Sequence, residues 1–365
     1  MQKRIIISGG GTGGHIFPAV SIADEIKRRD PEAEILFVGA KGGMELRVVP
    51  RYNYPIEAVW ISGIHRQINL RNIRRNLLFP IKLISSLFQA GKIVRRFKPQ
   101  AVVGVGGFAS GPLGRVAAGR KIPLFLCEQN AYPGLVNRWL APKARKILLG
   151  NAAASKYFEG MEVVVTGNPI RSFQLSDRST AAQKLGLDPS KPILLSLGGS
   201  LGALSLNRAI KAQLDLAKKA DVNLIWQCGK RYYPELSQEI QETDQIKLMP
   251  FIEDMATAYS AADLIISRAG GSTISEVIDL EKPSILVPSP NVSEDHQTKN
   301  ARSLSDHGAA LLVLDKEAEE KLIPTALEVL GDTDKLHALQ QQIKAMEKHH
   351  AAKEIVDEIF RETYS

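Results

Sequence analysis

Three times in this chain a short apolar run breaks into a glycine-rich loop that opens directly into a helical segment. That recurrence limits the fold more than any other feature. Residues 4–8 lead into Gly9-Gly10-Gly11-Thr12-Gly13-Gly14-His15, and residues 193–197 into Gly198-Gly199-Ser200-Leu201-Gly202-Ala203. Residues 264–267 lead into Arg268-Ala269-Gly270-Gly271-Ser272-Thr273-Ile274-Ser275-Glu276. Glycine lets backbone N–H groups approach a phosphate, and a helix N-terminus adds a favourable partial charge. One such loop is weak; three in two matching halves point to phosphate binding.

The rest of each half fits the same scheme. In the first, residues 35–38, 101–104 and 124–127 read as further buried strands, with 147–149 a weaker one, and 17–29 and 80–97 as helices. In the second, 223–227, 246–249 and 284–287 join the two strands already named. Alternation of this kind builds a doubly wound parallel α/β sheet. At 365 residues two domains are expected, with a hinge near residue 167. Residues 1–166 form the first, 167–346 the second, and a helix at about 347–365 is free to cross back onto the first. Ligands of such sheets bind beyond the carboxyl ends of the strands, which for two domains means a cleft between facing edges.

Charge narrows the partners. The net charge is +8, and no acidic residue occurs between Glu57 and Glu128, an interval holding twelve basic ones. An anionic partner follows: membrane surface, nucleic acid or phosphorylated substrate. Ile73, Leu77, Leu78, Phe79, Ile81, Leu83, Ile84, Leu87 and Phe88 interleave there with Arg71, Arg74, Arg75 and Lys82. Such a surface suits an anionic leaflet, with Arg75, Leu78, Phe79 and Lys82 as the expected contact. Against this, the apolar residues must also pack the helix onto its sheet. Nucleic acid is disfavoured, because no nucleic-acid fold or aromatic series accompanies the charge. Cys127 and Cys228 follow no metal spacing and read as cytosolic thiols. No secretory leader or spanning run is apparent, so a cytoplasmic protein, peripherally associated with the inner face of the plasma membrane, is expected.

The first loop formally fits a dinucleotide fingerprint, which requires an acid at the end of the second strand. That strand ends Val38-Gly39-Ala40-Lys41, so an oxidoreductase is disfavoured.

With these loops in view, the chain resembles the MurG family of bacterial glycosyltransferases. The first domain carries Gly-Gly-Gly-Thr-Gly-Gly-His15-Ile-Phe-Pro18, Gly106-Gly107-Phe108-Ala109-Ser110-Gly111-Pro112 and Glu128-Gln129-Asn130. Thr166-Gly167-Asn168-Pro169-Ile170-Arg171, Gly199–Ala203, Pro250-Phe251-Ile252-Glu253-Asp254-Met255 and Arg268–Glu276 follow in the family's order. The resemblance implies a GT-B fold, with two Rossmann-like domains facing a cleft. It also implies inverting transfer of N-acetylglucosamine from UDP-GlcNAc to the muramyl C4 hydroxyl of undecaprenyl-diphosphate-linked lipid I. The products would be lipid II and UDP, in peptidoglycan synthesis, with cell-wall assembly proteins as possible partners.

By the same resemblance Ile252 reads uracil, Glu276 holds the ribose, and Gly271, Ser272 and Thr273 meet the diphosphate, assisted by Ser200 and Arg171. Gln297 contacts the donor sugar, although Thr298 stands where several relatives have a second glutamine. Thr12, Gly13, Gly14 and Asn130 reach toward the donor from the first domain. Gly11, Gly13, Gly14, Gly106, Gly107 and Ser110 are expected at the acceptor diphosphate. His15 is the candidate base, or else a ligand of the acceptor phosphate; Glu128 is the second candidate base. Spacing alone leaves Glu276 open between ribose binding and capping its own helix in the first turn. No Asp-x-Asp or His/Cys cluster is present, so no metal or other cofactor is expected. The rival readings are another lipid glycosyltransferase, a UDP-N-acetylglucosamine 2-epimerase and a noncatalytic sugar-nucleotide-binding subunit.

Overall fold

The computed structural model describes residues 2–63, 77–170, 173–199, 202–292, 295–346, 348 and 350–364. Ser200 and Arg171 of the expected donor set, and Arg75 of the expected membrane contact, lie outside the described residues. The chain divides into two compact units. Met1–Arg171 and His349–Ser365 form one, and Ser172–Lys348 the other.

The first unit holds seven parallel strands: β1 (Arg4–Gly9), β2 (Glu34–Ala40), β3 (Ile56–Val59), β4 (Ala101–Gly106), β5 (Leu124–Glu128), β6 (Lys146–Leu149) and β7 (Val163–Val165). Their order is β3-β2-β1-β4-β5-β6-β7, with Ile5 opposite both Ile35 and Ala101. Ile5, Ile6 and Ile7 are all fully buried, as continuous apolar runs are when helices cover both faces of a parallel sheet. The helices used below are α1 (Gly13–Arg29), α2 (Glu45–Val48), α3 (Phe79–Phe97) and α4 (Ser110–Gly119).

The second unit has six parallel strands: β8 (Ile193–Leu197), β9 (Asn223–Gln227), β10 (Ile246–Met249), β11 (Leu264–Ser267), β12 (Ser284–Leu286) and β13 (Leu311–Leu312). Their order is β10-β9-β8-β11-β12-β13. Its relevant helices are α5 (Leu204–Ala212), α6 (Met255–Ala261), α7 (Gly271–Asp279) and α8 (His296–Ser305). The last helix, α9 (Ala351–Tyr364), returns to the first unit. There Lys146 Nζ pairs with Glu358 at 2.6 Å and Glu362 at 2.8 Å, and Ile355, Val356 and Ile359 enter the core beside α1.

The strand order places the glycine loops. Strand order reverses between β1 and β4, and in the other sheet between β8 and β11, and a crevice opens beyond the carboxyl ends at such a switch point. The loops after β1 and β4 meet at the first; those after β8 and β11 meet at the second. Burial pushes the Cys127 thiol up to about 12 and the Cys228 thiol up to about 11, so neither is a nucleophile near neutral pH. Among the described residues no helix is long and apolar enough to cross a membrane.

Candidate active site

At the first switch point two turns close on one another. Gly10 N–H donates to Gly106 O at 3.3 Å. Gly106 (φ +118°) and Gly107 (φ +88°) adopt backbone that favours glycine. A Cβ on Gly107 would lie 2.6 Å from Gly10 O, and one on Gly106 2.5 Å from the His15 ring. Bulk at either position would therefore displace the histidine.

Thr12 is the N-cap of α1, and His15 sits in its first turn. His15 Nδ1 lies 3.0 Å from Gly10 O. A carbonyl only accepts, so Nδ1 carries a proton, and in the neutral ring Nε2 is the nitrogen with the lone pair. That tautomer suits proton abstraction at Nε2.

Three expected site residues differ from their sequence reading. Ser110 is buried and its Oγ turns inward, shared between Ser8 O at 3.1 Å and Gly106 O at 3.0 Å. Its hydroxyl is thus committed to the turn and not to an acceptor phosphate. Gly11 N–H donates to the Glu45 carboxylate at 2.9 Å, which withdraws that amide from anion binding as well. Glu128 is buried, with Oε1 accepting from Asn130 N at 3.0 Å and Asn130 Nδ2 at 3.2 Å. Its Oε2 accepts from Gly134 N and Asn137 Nδ2, both at 2.9 Å. Four donors already serve this carboxylate, so it shapes the loop around Asn130 and is poorly placed to take a substrate proton. Asn168, in the first unit, braces the same loop by donating to Gln129 O at 3.0 Å.

At the second switch point α7 starts at Gly271 with Gly270 as N-cap and no side-chain cap. Its first turn contains no acid, so Glu276 belongs to the second turn and does not cap the helix. The carboxylate is half-buried, and Oε2 accepts from Tyr259 OH of α6 at 2.6 Å. Gly271, Ser272 and Thr273 form the positive end of that helix. Ile252 follows β10 and is buried. Gln297, on α8, has its Oε1 held by Ser289 N–H at 2.8 Å, and Thr298 donates to Asp295 Oδ1 at 2.6 Å.

Sequence reasoning missed the residues behind this loop. Arg268 donates to Val287 O at 3.0 Å, to Ser205 Oγ at 2.6 Å and to Asp315, which pins the loop from beneath. Asn300, buried on α8, donates to Ala269 O at 3.0 Å. Nothing in the spacing marks Asn300, Asp315 or Tyr259, because each reaches the loop from another element.

On α3 the exposed apolar residues are Leu77 just before it, then Ile81, Ile84 and Phe88, at helical spacing. Leu77 and Phe88 are 73% and 76% exposed, and Leu78 is exposed beside them. Phe79, by contrast, packs against the core, and Lys82 Nζ donates to Ser62 Oγ at 2.8 Å while lying over the Trp60 ring. Phe79 and Lys82 are therefore not the outermost contact. A groove of about 860 Å³ between α3 and α4 combines Ile84, Leu87, Phe88 and Val116 with Lys92, Arg95, Arg115 and Arg120.

Comparison with known proteins gives these sites a context. Residues 5–149 match the glycosyltransferase family 28 N-terminal domain, and residues 193–359 match the C-terminal domain of that family. A relative from Parabacteroides distasonis is 47% identical over 367 residues, 99% of each chain. One from Cytophaga hutchinsonii is 47% identical over 360 residues, covering 98% of this chain and 96% of the relative. Both are named UDP-N-acetylglucosamine–N-acetylmuramyl-(pentapeptide) pyrophosphoryl-undecaprenol N-acetylglucosamine transferase. Among solved structures, MurG of Acinetobacter baumannii matches with TM-score 0.74 and 27% identity, over 99% of this chain and 100% of that one. A UDP-N-acetylglucosamine 2-epimerase matches with TM-score 0.66 at 13% identity, over 99% of this chain and 97% of that one, and shares the fold alone.

Proposed function

The chain belongs to glycosyltransferase family 28, and from that premise we propose that it transfers N-acetylglucosamine from UDP-GlcNAc to lipid I. It has the GT-B fold, two Rossmann-like parallel-sheet units, and is an N-acetylglucosaminyltransferase of peptidoglycan synthesis. The products are lipid II and UDP. The observation that carries the reading is a pair of differently equipped switch points. One has a histidine oriented by a backbone carbonyl, the other a helix N-terminus with a carboxylate one turn along.

The chemistry follows from those parts. The muramyl C4 hydroxyl attacks the anomeric carbon of the donor, and His15 Nε2 takes its proton. The bond from that carbon to the UDP β-phosphate oxygen breaks, with inversion and no covalent enzyme intermediate. Charge developing on the diphosphate is met by the N-terminus of α7, at Gly271, Ser272 and Thr273, with Ser200 and Arg171 assisting. Glu276, oriented by Tyr259, accepts from the ribose hydroxyls, and Ile252 meets uracil through its backbone. Gln297, with its carbonyl held by Ser289, offers its amide to the donor sugar. Thr12, Gly13, Gly14 and Asn130 complete the donor contacts, while Gly13, Gly14, Gly106 and Gly107 take the acceptor diphosphate. No metal is assigned a part; loss of turnover in a chelator, restored by magnesium, would contradict this.

The apolar row Leu77, Ile81, Ile84 and Phe88 docks on an anionic leaflet in this reading, its basic neighbours meeting the headgroups. Fully burying one such side chain is worth about 1.5–3 kcal/mol, so leaving four in water favours a partner surface.

Incubation with UDP-GlcNAc and a lipid I analogue tests the activity. Formation of lipid II and UDP is expected. Donor hydrolysis or epimerisation without transfer would reject it.

A further inference from the structure

Glu45 opens α2, has no accessible surface, and plays no part in the mechanism above. Its Oε2 accepts from Gly11 N–H at 2.9 Å and its Oε1 from Ala40 N–H at 2.7 Å. Both oxygens accept, so each side of the carboxyl group is occupied. Three glycines form its socket. A Cβ on Gly10 or Gly39 would come within 2.4 Å of the Glu45 side chain, and one on Gly43 within 2.3 Å. Because the side chain is enclosed, it has nowhere to retreat.

Among the described residues no lysine, arginine or histidine forms an ion pair with this carboxylate. Burying a carboxylate without a cation is costly, and a small apolar residue would fill such a socket at no electrostatic cost. Its contacts lead straight to the histidine. Glu45 holds Gly11 and walls in Gly10, Gly10 O meets His15 Nδ1 at 3.0 Å, and Gly10 N–H meets Gly106 O.

We propose that Glu45 is a positioning residue for the transfer: clamped between Gly11 and Ala40, it fixes the first glycine loop and, through Gly10, the place of the His15 ring. The inference rests on the reading of His15 given above. It also accounts for a phosphate-type loop whose third glycine amide points inward.

The test uses the full chain. Glu45→Gln keeps the volume but sets an NH₂ group against one of the two N–H donors, so the clamp opens on one side. Turnover should fall about ten- to a hundred-fold, the loss expected of a misplaced catalytic group. Donor affinity, read by calorimetry and carried mainly by the other unit, should fall by no more than a few-fold, which also certifies folding. In protein labelled with ¹⁵N-histidine, the His15 ring signals, assigned with His15→Asn, should move away from a single Nδ1–H tautomer. Gly43→Ala, which presses one methyl group on the same carboxylate, should act in the same direction and decides the matter if Glu45→Gln does not fold. Unchanged turnover together with an unchanged ring signal would overturn the proposal. If the unsubstituted protein makes no lipid II, the reading of the activity fails instead.

Discussion

The two units place a glycine loop at the same point of the same topology, yet support it in opposite ways. Behind the first loop lies a buried acid: Glu45 draws the Gly11 amide inward, and the loop ends on a histidine held by backbone. Behind the second lies a base: Arg268 is anchored to Asp315, Ser205 and two carbonyls beyond β12. The first arrangement spends an anion-binding amide to fix a side chain. The second keeps a helix N-terminus with no acid in its first turn and sets Glu276 one turn further on. Shared topology therefore does not mean a shared task. In our account the first unit handles proton and acceptor, and the second carries most of the nucleotide binding.

The largest effect that would break this division is on chemistry in the first unit. His15→Ala should lower kcat by about 10²–10⁴, the contribution of a general base. A loss of less than about tenfold would reduce His15 to a phosphate ligand. In the second unit, Glu276→Ala should weaken UDP-GlcNAc binding by about ten- to a hundredfold, since a hydrogen bond to a charged group is worth about 1.5–3 kcal/mol. Tyr259→Phe, which only releases Glu276, should cost a few-fold in the same titration.

Much of this was legible in the sequence, and the failures have a common cause. Central strands stand out because both their faces are buried, so 4–8 and 193–197 read as unbroken apolar runs. Three outer strands do not: β3, β7 and β13 are short and only partly buried. At the sites, glycine spacing located the loops but could not show where their polar groups point. Ser110 is occupied by backbone carbonyls and Glu128 by backbone and side-chain amides, and Glu45 meets Gly11 from 34 positions away. Phe79 was singled out where a neighbouring row on the same helix is the exposed one, because composition does not tell which face of α3 lies on the sheet.

Glu128→Gln sharpens the comparison within the first unit. Replacing an acceptor of four N–H groups should destabilise the protein by about 1–3 kcal/mol, seen as a lower Tm, while folded enzyme still turns over. Complete loss of turnover in well-folded protein would restore Glu128 as a base. Smaller still, Ile84→Ser with Phe88→Ser should reduce cosedimentation with anionic liposomes several-fold and leave transfer to a soluble acceptor intact. Cosedimentation insensitive to both anionic lipid and salt would remove the membrane reading.

The smallest effect is confined to the first unit, where Glu25 on α1 is held at about 2 by Arg28 and Arg29, and Arg29 also pairs with Asp357 of α9. A folded value below the ordinary 4.5 means that the stabilisation is complete above about pH 4.5 and is lost as pH falls toward 2. Glu25→Gln should lower the stability of that unit near neutrality and flatten its acid-unfolding curve, the two proteins converging as pH falls toward 2.

One titration addresses the division of labour directly: calorimetric binding of UDP-GlcNAc to His15→Ala and to Glu276→Ala. The account predicts unchanged donor affinity in the first, despite its lost turnover, and a clear loss in the second. Donor binding that fails in His15→Ala and survives in Glu276→Ala would contradict it.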